Sequence, residues 1–171
     1  LHRYRNGSAA IEGFLDDYAF LAWGLFELYQ ATGEITYLTE CHALCTEMLI
    51  CFADKSGGFR FSADGRDDTP FGWQRPSYDS AIPSGNSAAI YVLARMGVLC
   101  GENRFLEAAY RGLGAFSSQI SQYPAGFSWM LATLEFLTGS RSEIVLSGDR
   151  NATNYVEMSS LLKRMYLPDA V

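Results

Sequence analysis

The sequence predicts an all-α domain of helical hairpins, arranged as a partial α/α toroid of about three hairpins with short β insertions, or as an α-solenoid. Three observations lead there. Apolar residues recur at helical spacing in successive blocks, and nearly uncharged blocks alternate with amphipathic ones. The uncharged blocks share an ending: Leu28-Tyr29-Gln30-Ala31-Thr32-Gly33-Glu34 aligns with Met96-Gly97-Val98-Leu99-Cys100-Gly101-Glu102, and Phe136-Leu137-Thr138-Gly139 repeats it. The spacing from Gly33 to Gly101 exceeds that from Gly101 to Gly139 by about one long loop, which matches the irregular segment 53–83.

In chain order, residues 1–13 are polar and read as an incoming loop or the end of an earlier element. Asp16-Asp17 opens a helix over 16–32. Its Tyr18, Leu21, Ala22, Leu25, Leu28 and Tyr29 mark one face, and Phe20, Trp23 and Phe26 make the others apolar, so it is expected to be buried on all sides. A more polar helix over 35–52 covers it. Segment 53–83 holds a short strand at 57–62, an exposed turn at Asp64–Asp68 and an aromatic-polar run to Tyr78. Ser84, after Pro83, is a natural N-cap for a helix over 84–100. Helices follow over 103–121 and 125–138, then a strand at 143–147 and a last helix over 152–165 capped by Asn151. Glycines 33, 101 and 139 are expected to end the inner helices in the left-handed conformation. Glu27 and Arg95 each stand six residues before their glycine, which suggests an internal ion pair.

The 171 residues suffice for one domain with a real core, and 49% are hydrophobic and 14% aromatic. A net charge of −6 with no basic tract excludes phosphate-led nucleic-acid binding. Glu27, Arg95 and Glu135 break the apolar runs below membrane-span length. The start at Leu1, rather than Met, points to a fragment of a longer protein, with residues 1–171 as a single partial domain. Cys41, Cys45, Cys51 and Cys100 form no Cys-x-x-Cys pair. They read as buried thiols of a reducing, cytoplasmic compartment. His42 projects about 100° from Cys41 around its helix, so no metal site forms there. No cofactor is implied: Walker and dinucleotide fingerprints are missing, and so is a Gly-x-Ser-x-Gly elbow.

Aligning the inner helices by their C-terminal glycines brings their N-termini to one end, where the long loop also enters. Asp16, Asp17, Trp73, Arg75, Tyr78, Asp79, Ser84 and Asn86 then share one rim. Aromatic rings can stack on pyranose faces, amides and Arg can hold hydroxyls or an anion, and two carboxylates can act as acid and base. Asp17 and Asp79 are the acid/base candidates. Trp73 and Tyr78 are candidates for stacking, and Asp16, Arg75, Ser84 and Asn86 for substrate binding. Each also has a structural alternative. Asp16 and Asp17 suit a helix N-terminus electrostatically. Asp79 can cap a turn or pair with Arg75, Trp73 can cover the core, and Ser84 can simply cap its helix.

Asp17-Tyr18-Ala19-Phe20-Leu21, the ending Leu28–Gly33, Gly57-Gly58-Phe59, Asp79-x-Ala81-x-Pro83-Ser84-Gly85-Asn86-Ser87 and the opening Tyr4-Arg5-x-Gly7 together carry a resemblance. In this order they resemble the spermatogenesis-associated, thioredoxin-domain-containing proteins with a six-hairpin-glycosidase-like domain. The resemblance implies an α/α toroid related to glycosidases and N-acylglucosamine 2-epimerases, here its later half without the thioredoxin-like part. The leading expectation is a carbohydrate-related role for the rim, with a carbohydrate or sugar-phosphate as ligand and glycoside hydrolysis by the paired carboxylates as its chemistry. The competing expectation is a non-catalytic helical scaffold that binds a peptide or protein through the same rim. Uncovered inner helices would offer apolar surface, to a second copy or to the missing N-terminal part.

Overall fold

A computed structural model of the chain describes residues 1–63 and 74–171. Six α-helices carry the structure: α1 Leu15–Thr32, α2 Ile35–Cys51, α3 Gly85–Cys100, α4 Asn103–Gln122, α5 Ser128–Thr138 and α6 Thr153–Leu162. Two short strands precede them, β1 Arg3–Arg5 and β2 Ser8–Ala10. They pair antiparallel, with Tyr4 opposite Ala9. Residues 1–13 are therefore a hairpin rather than a loop. Asn6 and Gly7 both take positive φ, 52° and 77°, as a two-residue turn that follows strand twist requires.

The helices form two layers. In the inner layer, α3 lies between α1 and α5, while α2 packs outside α1 and α4 outside α3. Along α4 the buried residues are Phe105, Ala109, Gly112, Leu113 and Phe116, a single stripe at helical spacing. Between the layers Phe26, Met48, Phe52, Phe59, Ile90, Leu93, Met96 and Phe105 are fully enclosed. Each such side chain contributes about 1.5–3 kcal/mol of burial free energy. Cys41 and Cys45 are buried in the α1–α2 seam, where the Cys41 thiol donates to the Ala22 carbonyl at 3.2 Å. A hydrogen bond with Cys41 and burial together push the Cys45 thiol up from its ordinary range. All four cysteines are free, but Cys51 is only partly buried and Cys100 is exposed.

Several expectations need correction. Only α3 is buried nearly all round, from Gly85 to Ile90 and from Val92 to Gly97. Helix α1 leaves Leu21 and Leu28 about half exposed, because only α2 and α3 cover it broadly. Gly33 and Gly101 end their helices at φ 74° and 64°, as expected. Gly139 does not, at φ −81°. A side chain there would meet the Glu135 carbonyl, so Gly139 is needed for space rather than for handedness. In place of strands at 57–62 and 143–147 there are single bridges, Ala53 with Phe59 and Ser142 with Ala170. Asn151 is not the cap of α6. Ala152 holds that position without a side-chain bond, and the Asn151 amide donates to Asp149 in the preceding turn.

Glu27 and Arg95 do not pair. Glu27 accepts the indole N–H of Trp23 at 2.9 Å, and Arg95 turns to the carbonyls of Pro168 and Ala170. Among the described residues no helix is long and apolar enough to cross a membrane. The exposed turn Asp64–Asp68 and Trp73 lie outside the described residues.

Candidate functional site

The N-termini of α1, α3 and α5 meet at one end. The Leu15 amide, at the start of α1, donates to the Phe61 carbonyl of the long loop at 2.9 Å. The carboxylate of Asp16 lies against Gly85, the first residue of α3, so closely that a Cβ at position 85 would collide with it. Asp79 joins α3 to α5. One carboxylate oxygen accepts the Ser84 amide at 2.9 Å and the other the Trp129 amide at 3.0 Å. The residue is 7% exposed, so both amides would be orphaned without it.

Asn86 is enclosed completely. Its Oδ1 accepts the Phe59 amide at 2.7 Å, and its Nδ2 donates to the carbonyls of Phe59 and Pro76 at 2.9 and 2.8 Å. It therefore fastens both limbs of the long loop to α3. The Ser84 hydroxyl accepts the Ser87 amide at 3.1 Å, a normal N-cap. Arg75 donates to Ser56 Oγ and the Gly57 carbonyl at 2.7 and 2.6 Å. It also lies 3.6 Å from Asp54. Hydrogen bonds from Ser56, and then the charges of Arg75 and Arg60, hold the Asp54 carboxyl below its usual range.

Of the remaining candidates, Asp17 accepts the Phe14 amide at 2.9 Å and shares a proton-bearing contact with His2 Nδ1 at 2.9 Å. Tyr78 is exposed, with its ring nearly parallel to Tyr123 at 6.0 Å and edge-on to Phe127. Asp16 differs from all of these. Among the described residues it has no hydrogen-bond partner, and burial first, then the Asp17 charge, push its carboxyl above the usual range.

One cluster escaped the sequence reading. Trp23 of α1, Tyr91 of α3 and Trp129 of α5 meet on the inner face, with centroid separations of 5.1 Å for Trp23–Tyr91, 4.4 Å for Trp23–Trp129 and 5.2 Å for Tyr91–Trp129. All three are half-buried. Phe20 stacks on Trp23 from the side nearer the rim. Burial raises the Tyr91 phenol, while the Arg95 charge opposes that rise. The signal in the sequence was the spacing of Asp16, Phe20, Trp23 and Glu27, which places one carboxyl, two aromatics and a second carboxyl along one helical face. The arrangement can present aromatic rings to an apolar sugar face, with the Asp16 carboxyl at the rim end.

Comparison with known proteins adds a relationship. No family model matches the chain. The chain is 29% identical over 160 residues to rat spermatogenesis-associated protein 20, and 28% identical over 160 residues to the human protein of that name. Each alignment covers 93% of this chain and 20% of the relative. An uncharacterized protein of Caenorhabditis elegans, B0495.5, is 26% identical over 162 residues, 95% of this chain and 22% of its own length. The similarity supports the spermatogenesis-associated family to which the motifs pointed. The chain spans about a fifth of the length of the curated relatives it matches.

Proposed function

We propose that the inner face of α1, α3 and α5 is a carbohydrate-binding surface, and that the two helix layers are a segment of an α/α toroid. The observation that carries this is the half-buried Trp23–Tyr91–Trp129 cluster, with Asp16, a carboxyl that has no hydrogen-bond partner among the described residues, on the same face of α1. Buried aromatic rings with one face accessible supply apolar contact at little entropic cost. Of the rim carboxylates, Asp16 suits proton donation best, since desolvation favours its neutral form. The sequence candidates Asp17 and Asp79 serve in this proposal as positioning residues. Asp17 fixes the start of α1, and Asp79 holds the N-termini of α3 and α5 in register. Tyr78 extends the aromatic surface at the rim.

The test is a titration of the chain with a panel of oligosaccharides, read by tryptophan fluorescence and calorimetry. Binding is expected to alter Trp23 and Trp129 emission, and Trp129→Ala is expected to abolish it. A panel with no binder, or binding untouched by Trp129→Ala, would overturn the proposal.

A second reading, a scaffold for a protein partner, is favoured by α6. That helix buries no residue and exposes Val156, Met158 and Leu161. The groove beside it is lined by Arg150, Tyr155, Lys163 and Arg164, which suits an acidic peptide. Loss of partner capture on Val156→Asp with sugar binding intact would separate the two surfaces.

A further inference from the structure

Arg95 is the most unusual charge in the molecule. It lies in the central helix, is 7% exposed, and has no carboxylate partner among the described residues. Its guanidinium lies over the Phe136 ring at 4.3 Å and the Tyr91 ring at 5.2 Å. Nη1 donates to the Ala170 carbonyl at 2.8 Å and Nη2 to the Pro168 carbonyl. Its Nε is buried with no acceptor among the described residues. A guanidinium removed from water is normally matched by an anion, because neutral carbonyls recover only part of the lost hydration. An oxyanion engages the guanidinium fork in two parallel bonds, each roughly twice as strong as one to a neutral acceptor.

The group now holding Arg95 is thinly attached. Residues 168–171 run beside Ser142 and Ile144 through three backbone bonds. Of this stretch only Val171 packs on the core, and the preceding helix α6 buries nothing. Segments with few buried contacts open at low free-energy cost. Tyr91, meanwhile, belongs both to the aromatic cluster and to the Arg95 stack. Arg95 is therefore the next group along the inner face from the proposed sugar surface.

We infer that Arg95 is an anion subsite of the inner face, that the strap 168–171 occupies it in this structure, and that the ligand it takes is a sugar bearing an oxyanion, a carboxylate or a phosphate. The inference rests on the carbohydrate reading of the face for the sugar, but the Arg95–strap pair can be tested without it. An entering anion takes over Nη1 and Nη2, supplies an acceptor within reach of Nε, and displaces the carbonyls of 168 and 170. Neutral sugars would bind with the strap in place.

The experiment compares glucose, glucuronate, glucose 6-phosphate and inorganic phosphate on the whole chain. Affinity is read by calorimetry, and amide exchange is followed at Ile144, Ala170 and Val171. Glucuronate or glucose 6-phosphate is expected to bind about tenfold or more tighter than glucose, the gain of one charge-assisted pair. The charged sugar that binds tighter identifies which oxyanion the subsite takes. Both charged sugars should lower protection of the three amides, whereas glucose should not. Arg95→Lys, which keeps charge but loses the fork, is expected to erase the difference between charged and neutral sugars. Should Arg95→Lys fail to fold, Val171→Ser gives the same answer from the other side. It loosens the strap and should tighten charged sugars several-fold, leaving glucose unchanged. Equal affinity for charged and neutral sugars with unchanged amide protection overturns the inference. If no sugar binds at all, the carbohydrate reading fails. Inorganic phosphate then decides the subsite alone: strap release that disappears in Arg95→Lys sustains it, and no release overturns it.

Discussion

Asp79 and Asp16 stand at the same end of the molecule, and the fold uses them in opposite ways. Asp79 is buried with each carboxylate oxygen accepting one backbone amide, so its charge is consumed in joining α3 to α5. Asp16 is half-buried against the bare backbone of Gly85, with no donor among the described residues and a carboxyl raised by desolvation. The first arrangement favours rigidity. The second leaves a carboxyl that desolvation holds above its ordinary range. The same contrast separates Asn86, whose amide is fully bonded, from the Trp23–Tyr91–Trp129 rings, which stay partly exposed. Asp79 and Asn86, picked for their polarity, thus serve the scaffold, while Asp16 and the aromatic rings belong to the surface proposed above for a ligand.

The contrast is broken most directly by removing Asp79. Asp79→Ala leaves two amides unsatisfied and is expected to cost about 3 kcal/mol or more in denaturant unfolding. Asp16→Ala at the mirror position is expected to change stability by less than about 1 kcal/mol. Equal losses would sink the distinction. Asn86→Ala comes next, at about 2–3 kcal/mol, because three enclosed bonds disappear and the long loop loses its anchor. Protease sensitivity of the loop should rise with it.

Gly85→Ala sharpens the comparison from the Asp16 side. The added methyl must push the carboxylate off α3, but that carboxylate ends a flexible side chain. The expected outcome is a stability loss of about 1 kcal/mol or less, with any proton-transfer activity falling as far as in Asp16→Asn. An intact rate in Gly85→Ala would show that the position of Asp16 is unimportant.

The smallest effects are titrations. Carbon-detected NMR should place the Asp16 carboxyl above 3.8 and the Asp54 carboxyl below it. The depressed Asp54 pKa means that the unfolded chain binds its proton first. Its stabilisation is therefore full above the ordinary Asp value and lost as pH falls through the lower folded value. Asp54→Asn should lower Tm at neutral pH, and the difference from wild type should shrink in that acid window. A difference independent of pH would assign the loss to packing rather than to charge.

The helices were largely legible in the sequence. The repeated ending at Gly33 and Gly101, the Ser84 cap and the uncharged blocks place α1 to α4 within a residue or two, because these signals are local. The Asn6-Gly7 turn is an equally local signal. The pairing of Glu27 with Arg95 failed for a different reason. Equal distance from a glycine fixes height along a helix but not which neighbour fills the space, and Tyr91 and residues 168–170 filled it.

Local signals in the chain place the ends of α1 to α4 and gather polar residues at one end, but they do not pick out α3 as the central helix. Those properties follow from periodicity, capping chemistry and charge count, all read within a few turns of chain. Only the tertiary structure decided what the polar residues do. Whether a carboxylate is spent depends on amides fifty positions away, as for Asp79 and Trp129. The aromatic surface exists because three helices converge, so that rings spaced for burial in one helix become the shared face of all three.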